Sequence, residues 1–148
     1  MTRRLLSLRP LLICLLAGLL FVGCSKYEEG PTFSLQSKQA RITKGWTAYQ
    51  LFRNNIDETL FYETYVLVIR DNGTFEWQFG LKDDPAGVIT REGSWKFISL
   101  KEEIQLTFNE PDPDTDQEIL VKQIKRLESD DLWLLFFYRG DYYEIQFN

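Results

Sequence analysis

Histidine is absent from this chain of 148 residues, and cysteine occurs only at Cys14 and Cys24. A chain without histidine has no Ser-His-Asp triad, no Cys-His dyad and no imidazole ligand for a metal. It also lacks the side chain whose unperturbed pKa lies near neutral pH. Paired carboxylates could still catalyse glycoside hydrolysis, but most acidic residues lie in predicted turns or on outward faces of predicted strands. We therefore predict that the protein is not an enzyme, that it has no catalytic residues, and that it needs neither a cofactor nor a metal.

Basic residues are also scarce, with 17 lysines and arginines against 22 acidic residues. Three of the 17, Arg3, Arg4 and Arg9, lie in an N-terminal segment that we expect to be removed. The remaining 14 basic and 22 acidic residues give the mature chain a net charge of −8. The basic surface that nucleic acid would require is therefore missing, and an anionic membrane surface would repel the domain.

The N-terminal segment has the pattern of a secretory signal. The three arginines precede the apolar run Leu11–Gly23, and no acidic residue occurs before Glu28. A positive start followed by such a run is typical of a signal peptide. The run is too short to span a bilayer, which needs about 20 residues. We predict a signal peptide over residues 1–23.

The end of the apolar run, Phe21-Val22-Gly23-Cys24, resembles the bacterial lipobox, in which the cysteine is acylated before cleavage. Several acyl chains on one cysteine hold a protein firmly to a bilayer. An ordinary signal peptide that happens to precede a cysteine is the alternative. We predict that acylated Cys24 and a tether over residues 24–40 attach the protein to the cell envelope. Ser25, where retention signals carry Asp, favours the outer membrane.

Aromatic residues are plentiful, and after residue 41 apolar and polar residues alternate as in half-buried strands. Phe75, Trp77 and Phe79, for example, alternate with Glu76 and Gln78. Asp71-Asn72-Gly73 is typical of a hairpin turn. The predicted strands are Thr43–Phe52, Tyr62–Arg70, Thr74–Phe79, Ile89–Ile98, Ile104–Phe108, Glu118–Leu127, Leu132–Tyr138 and Tyr142–Phe147.

Short turns join these strands in sequence, which predicts an all-β domain over residues 41–148. We expect an eight-stranded, up-and-down antiparallel barrel. A two-sheet β-sandwich is the alternative. A short helical turn over Ser37–Ile42 is expected to close one end.

Several landmarks are similar to those of lipocalin-like lipoproteins of Gram-negative bacteria. They are Glu29-Gly30-Pro31, Ser34-Leu35, Ser37-Lys38, Arg41, Trp46, the turn Asp71–Phe75 and the step Gly93-Ser94-Trp95. The resemblance implies a lipid-anchored small β-barrel, but it implies no particular ligand. Lys44 stands where the lipocalin signature has Gly, two residues before Trp46.

Alternation places a set of large side chains inside the predicted barrel, where they either fill the core or line a cavity. The candidates for lining a cavity are Trp46, Leu67, Ile69, Phe75, Trp77, Phe79, Trp95, Phe97, Tyr143 and Ile145. A cavity would suit a small apolar or aromatic ligand.

The predicted strand Leu132–Tyr138 is apolar on both faces, and one barrel wall buries only one of them. The other face carries Trp133, Leu135 and Phe137. Either a loop covers these side chains or they form a surface for an envelope protein or lipid.

Two functions remain open. In the first, the protein is a membrane-anchored lipoprotein whose barrel binds a small apolar or aromatic ligand. In the second, the barrel core is filled, and the protein is a non-catalytic structural or interaction protein of the envelope. An internal void of roughly 300 Å³ or more would favour the first.

Overall fold

The computed structural model describes residues 36–84, 86–111, 116 and 118–148. The predicted signal peptide, Cys24 and most of the predicted tether lie outside these ranges. Within them, no helix is both long enough and apolar enough to cross a membrane.

The described chain forms one short helix, α1 (Lys38–Ile42), and an antiparallel sheet of nine strands. The strands are β1 Gly45–Arg53, β2 Ile56–Asp57, β3 Tyr62–Ile69, β4 Thr74–Leu81, β5 Ile89–Ile98, β6 Glu103–Phe108, β7 Ile119–Leu127, β8 Leu132–Tyr138 and β9 Asp141–Phe147. Two single turns of 3₁₀ helix, Thr59–Phe61 and Ser99–Lys101, join neighbouring strands. From β3 to β9, each strand pairs with the next one along the chain.

The barrel closes through β1, which pairs with β3 on one side and with β9 on the other. Residues Gly45–Thr47 pair with β3, whereas Ala48–Arg53 pair with β9 across a register shift. Beyond Thr47 the strands β1 and β3 diverge, and a groove of about 270 Å³ lies between them. The strands form one continuous sheet that closes on itself. This confirms the predicted eight-stranded barrel and rules out the two-sheet sandwich.

The additional strand β2 was not predicted. Asn54 and Asn55 both adopt positive φ angles, 50° and 65°, a conformation that asparagine tolerates better than most residues. The resulting tight turn folds Ile56–Asp57 back onto the end of β1. This segment lies between two predicted strands, and its two residues are too few to show alternation.

Helix α1 closes one end of the barrel. Its N-cap residue is Ser37, whose hydroxyl accepts a hydrogen bond from the Ala40 backbone N–H at 3.1 Å. The indole N–H of Trp46 donates to the Ile42 carbonyl at 2.9 Å, and both side chains are fully buried. The Arg41 guanidinium donates to the Leu127 carbonyl on the far side of the barrel. The helix therefore closes one end of the barrel, as the sequence predicts.

The half of the barrel next to α1 is filled by its own side chains. Leu67, Ile69, Phe75, Ile145 and Phe147 are all essentially inaccessible to solvent. At the other end, β1, β4 and β8 finish and β3, β5 and β9 begin, and this end is open.

Gly93 is required where β5 meets β6, because a Cβ atom there would collide with the Thr107 carbonyl oxygen and lie 2.9 Å from both Phe108 Cα and Phe75 Cε1. We expect Gly93→Ala to lower the free energy of unfolding by about 2–3 kcal/mol, because neither the neighbouring strand nor the packed ring can move away cheaply. Urea denaturation measures the change.

Gly45→Ala is the matched control, because its Cβ would meet Val68 Cγ2 at an ordinary 4.0 Å. We expect a change of less than about 1 kcal/mol for this variant. Equal losses in the two variants would contradict the steric argument.

Candidate functional site

A cavity of about 450 Å³ occupies the open half of the barrel. Its position follows from the topology, because the ends of β1, β4 and β8 and the starts of β3 and β9 all reach this end. Its aromatic wall consists of Phe61, Tyr62, Tyr65, Trp77, Phe79, Phe136, Tyr138 and Tyr143. The cavity also contacts Leu81 and the charged side chains of Arg53, Glu58, Arg139 and Asp141.

The aromatic rings of the wall contact one another. The centroid of Trp77 lies 4.8 Å from that of Phe79, 5.7 Å from that of Tyr65 and 6.4 Å from that of Phe136. Phe136 stacks on Tyr143 at 5.3 Å with an angle of 12° between the planes. These distances are typical of favourable aromatic pairs, so the wall is preformed and presents ring faces and edges to the interior.

An ion-pair network holds the mouth of the cavity. Arg53 donates to Glu58 Oε1 from Nε at 3.0 Å and from Nη2 at 2.6 Å, and its Nη1 lies 3.5 Å from Asp141 Oδ2. Asn54 Nδ2 donates to Asp141 Oδ1 at 2.7 Å. These contacts join the end of β1 to the start of β9. No group of three or more acidic residues suited to a metal occurs in the described ranges.

The hydroxyls of Tyr62, Tyr65 and Tyr143 in the wall are protonated at neutral pH. Burial raises the pKa of Tyr62 to about 12, with the neighbouring Tyr143 as the next cause. Burial also raises the pKa of Tyr143 and raises that of Tyr65 well above its ordinary value. Each hydroxyl can therefore donate a hydrogen bond to a bound molecule and accept one from it.

Lys122 lies inside the barrel and is completely buried. Its Nζ lies 4.2 Å from the ring centroid of Trp77 and 3.7 Å from that of Phe136. The sequence analysis did not single out this residue. The available signal was its position between Leu120 and Ile124 on β7, because residues two apart on a strand share a face.

Within the described part of the chain, neither Lys122 Nζ nor Trp77 Nε1 has a hydrogen-bond partner. The Trp77 N–H lies close enough to Tyr65 to lower the pKa of the Tyr65 hydroxyl, an effect smaller than that of burial. The two groups are nevertheless not in hydrogen-bonding geometry. A buried donor without a partner costs about 1–3 kcal/mol. Burial lowers the pKa of Lys122 well below its ordinary value of 10.5, because water no longer solvates the charged form.

The predicted cavity residues fall into two groups. Trp77, Phe79 and Tyr143 line the cavity. Trp46, Leu67, Ile69, Phe75 and Ile145 pack in the filled half of the barrel, away from the cavity. Trp95 and Phe97 also lie outside the cavity lining: their rings contact each other at 5.3 Å, and Trp95 Nε1 donates to the Arg70 carbonyl at 2.7 Å.

The predicted outer face of β8 is partly exposed. Phe137 is 69% exposed, whereas Trp133 and Leu135 are half-buried. Trp133 Nε1 donates to Asp131 Oδ1 at 2.8 Å, and the Arg126 guanidinium lies 5.2 Å from its ring centroid. Ile119 and Val121 of β7 are exposed nearby. The apolar surface is therefore centred on Phe137, near the open end.

Comparison with solved structures finds a lipocalin-like protein from Bacteroides uniformis with a TM-score of 0.52. The two chains are 18% identical, and the match covers 73% of this chain and 97% of the other. The fold is lipocalin-like. An uncharacterised protein from Bacteroides eggerthii is 12% identical, with a TM-score of 0.45, over 71% of this chain and 98% of its own. No protein-family model and no curated protein matches the sequence.

Burial of Lys122 makes the stability of the barrel depend on pH. The lysine pKa is about 10.4 in an unfolded chain and lower in the folded one. Between these two values the unfolded state binds more protons, so the stability of the folded state rises with pH. Lys122→Met removes this dependence and the unpaired amine. We expect the variant to be more stable than the wild type, with an advantage that shrinks by at most about 1.4 kcal/mol per pH unit as the pH rises towards about 10.

Urea denaturation of both proteins between about pH 6 and pH 10 measures the difference. Lys96→Met is the control, because Lys96 is exposed on β5, and we expect its difference from the wild type to be independent of pH. If the difference in stability between Lys122→Met and the wild type is also independent of pH, the buried amine keeps its ordinary pKa.

Proposed function

We propose that this protein binds a small apolar or aromatic ligand in the open half of its barrel. The observation that carries the proposal is the cavity of about 450 Å³ with aromatic walls. Its size lies within the range of about 300–1,000 Å³ that is usual for small-molecule sites. It also exceeds the internal void of roughly 300 Å³ that favours a ligand-binding barrel over a barrel with a filled core.

The composition of the wall supports an apolar or aromatic ligand. Most of the lining is aromatic, and a flat molecule against these rings gains stacking as well as burial, about 0.5–1.5 kcal/mol for each aromatic contact. The tyrosine hydroxyls offer a few directional hydrogen bonds. The packed half next to α1 limits the depth of the site, so the ligand enters and leaves through the open end.

Phe79 provides a test of the site. We expect Phe79→Ala to weaken binding of the fluorescent apolar probe N-phenyl-1-naphthylamine by about tenfold, because the variant loses one aromatic wall contact of about 1.4 kcal/mol. Titration of the purified domain, followed by probe fluorescence, measures the affinity.

Phe52→Ala is the matched control, because Phe52 is also half-buried but does not line the cavity. It should lose stability and keep its affinity for the probe. If the wild type does not bind the probe, or if both variants bind it as the wild type does, the cavity is not the binding site.

We also propose that the protein is a lipoprotein anchored in the outer membrane through acylated Cys24. The support is the lipobox-like sequence before Cys24, the apolar run that precedes it and the absence of any other cysteine after residue 23.

Metabolic labelling tests the anchor. We expect labelled palmitate to enter the wild-type protein but not Cys24→Ser, and we expect the variant to leave the membrane fraction. A Cys24→Ser protein that still fractionates with membranes would overturn the proposal.

A second candidate function is binding of an envelope protein by the outer surface of the barrel. The observation that favours it is the exposed side chain of Phe137, with Ile119 and Val121 beside it. Loss of a cross-linked envelope partner in Phe137→Asp, with probe binding unchanged, would assign this surface.

A further inference from the structure

The geometry of the barrel interior points to the chemical class of the ligand. We propose that the ligand carries a carboxylate, and that this group enters the barrel first and binds Lys122 Nζ and Trp77 Nε1. The inference rests on the proposed function of the cavity and adds to it the polarity and the direction of the bound molecule.

The first support is the pair of unsatisfied donors. Lys122 Nζ and Trp77 Nε1 are buried, and no residue that the structure describes accepts a hydrogen bond from either. Native proteins rarely leave such groups unpaired, and each instance calls for an explanation. A carboxylate offers two acceptor oxygens with about four lone-pair sites, so one such group could satisfy both donors.

The second support is the position of the amine. Lys122 does not itself line the cavity, but both rings that enclose its Nζ, those of Trp77 and Phe136, do. The amine therefore lies directly behind the aromatic wall. A lysine side chain has a long flexible stem, and the proposal requires Nζ to move past these two rings to meet the carboxylate.

The third support is the distribution of charge. The inward side chains of the adjacent strands β6 and β8 are apolar or aromatic. Among the described residues, the titratable groups that line the same cavity are four tyrosine hydroxyls and the charged groups of its mouth, where Glu58 and Asp141 contact Arg53 and where Arg139 also lies. The four tyrosines are Tyr62, Tyr65, Tyr138 and Tyr143. The carboxylates of the described residues that line this cavity thus lie at its mouth, and a carboxylate on the ligand would be the negative group beside Lys122.

Binding of a carboxylate would change the protonation of this site. Burial favours the neutral amine in the free protein, whereas an adjacent carboxylate favours the ammonium form. The amine therefore takes one proton from solvent as the ion pair forms, and no covalent bond is made or broken.

Decanoate and 1-decanol are suitable probes, because they share a chain length and differ in the head group. Calorimetric titration of the wild-type protein near pH 8, in two buffers of different ionisation enthalpy, gives both the affinity and the number of protons taken up. We expect decanoate to bind about tenfold or more tightly than decanol, with uptake of close to one proton.

Lys122→Met should bring the affinity for decanoate down to that for decanol and abolish proton uptake, while decanol binding changes by no more than about threefold. Lys96→Met should bind both probes as the wild type does. Equal affinities for the two probes in the wild type would overturn the carboxylate proposal and leave the proposed ligand function intact.

A preference for decanoate that survives in Lys122→Met would place the carboxylate at the mouth, beside Arg53 or Arg139, and would also overturn the proposal. If the wild type binds neither decanoate, nor decanol, nor the neutral fluorescent probe, the ligand function itself fails.

Discussion

Hydrogen bonding between the first and last long strands is the constraint on which the structure depends. β1 pairs with β9 along Ala48–Arg53, and this pairing turns a sheet of sequential hairpins into a barrel with an inside and an outside. Closure forces one face of each of the eight barrel strands into a shared interior of fixed width. Large side chains at one end fill that width, and at the other end they leave a cavity.

Lys122 lies at the boundary between the filled and the open halves of the interior. On the filled side, helix α1 and the buried rings exclude water. On the open side, the same rings form the cavity wall, and the mouth is held by Arg53, Glu58 and Asp141. A buried amine between two rings is poorly solvated whether or not it is charged. Lys122 therefore contacts the two rings, those of Trp77 and Phe136, that belong both to the packed interior and to the cavity wall.

The sequence was enough to predict the eight strands of the barrel, because alternation fixes which side chains face inward and because the turn at Asn72-Gly73 needs a positive φ angle, which Gly73 adopts at 85°. It was not enough to locate the cavity. Alternation gives the face of the sheet on which a residue lies, but not its height along the barrel axis, which depends on the stagger between strands. Trp77 and Ile69 both face inward, yet one lines the cavity and the other fills the core. A lysine on a strand is normally expected to face solvent, so Lys122 was not among the residues predicted to face the interior.

The wall of the barrel is unequally strong around its circumference. β3 pairs with β4 along almost its whole length, but it pairs with β1 only at Val66–Val68. The first half of β3 faces a groove instead of a strand on that side. Segments with fewer backbone hydrogen bonds open first in a folded protein. Breathing of the barrel would thus begin at this seam, close to the mouth, and would widen the entrance sideways without disturbing the sealed end.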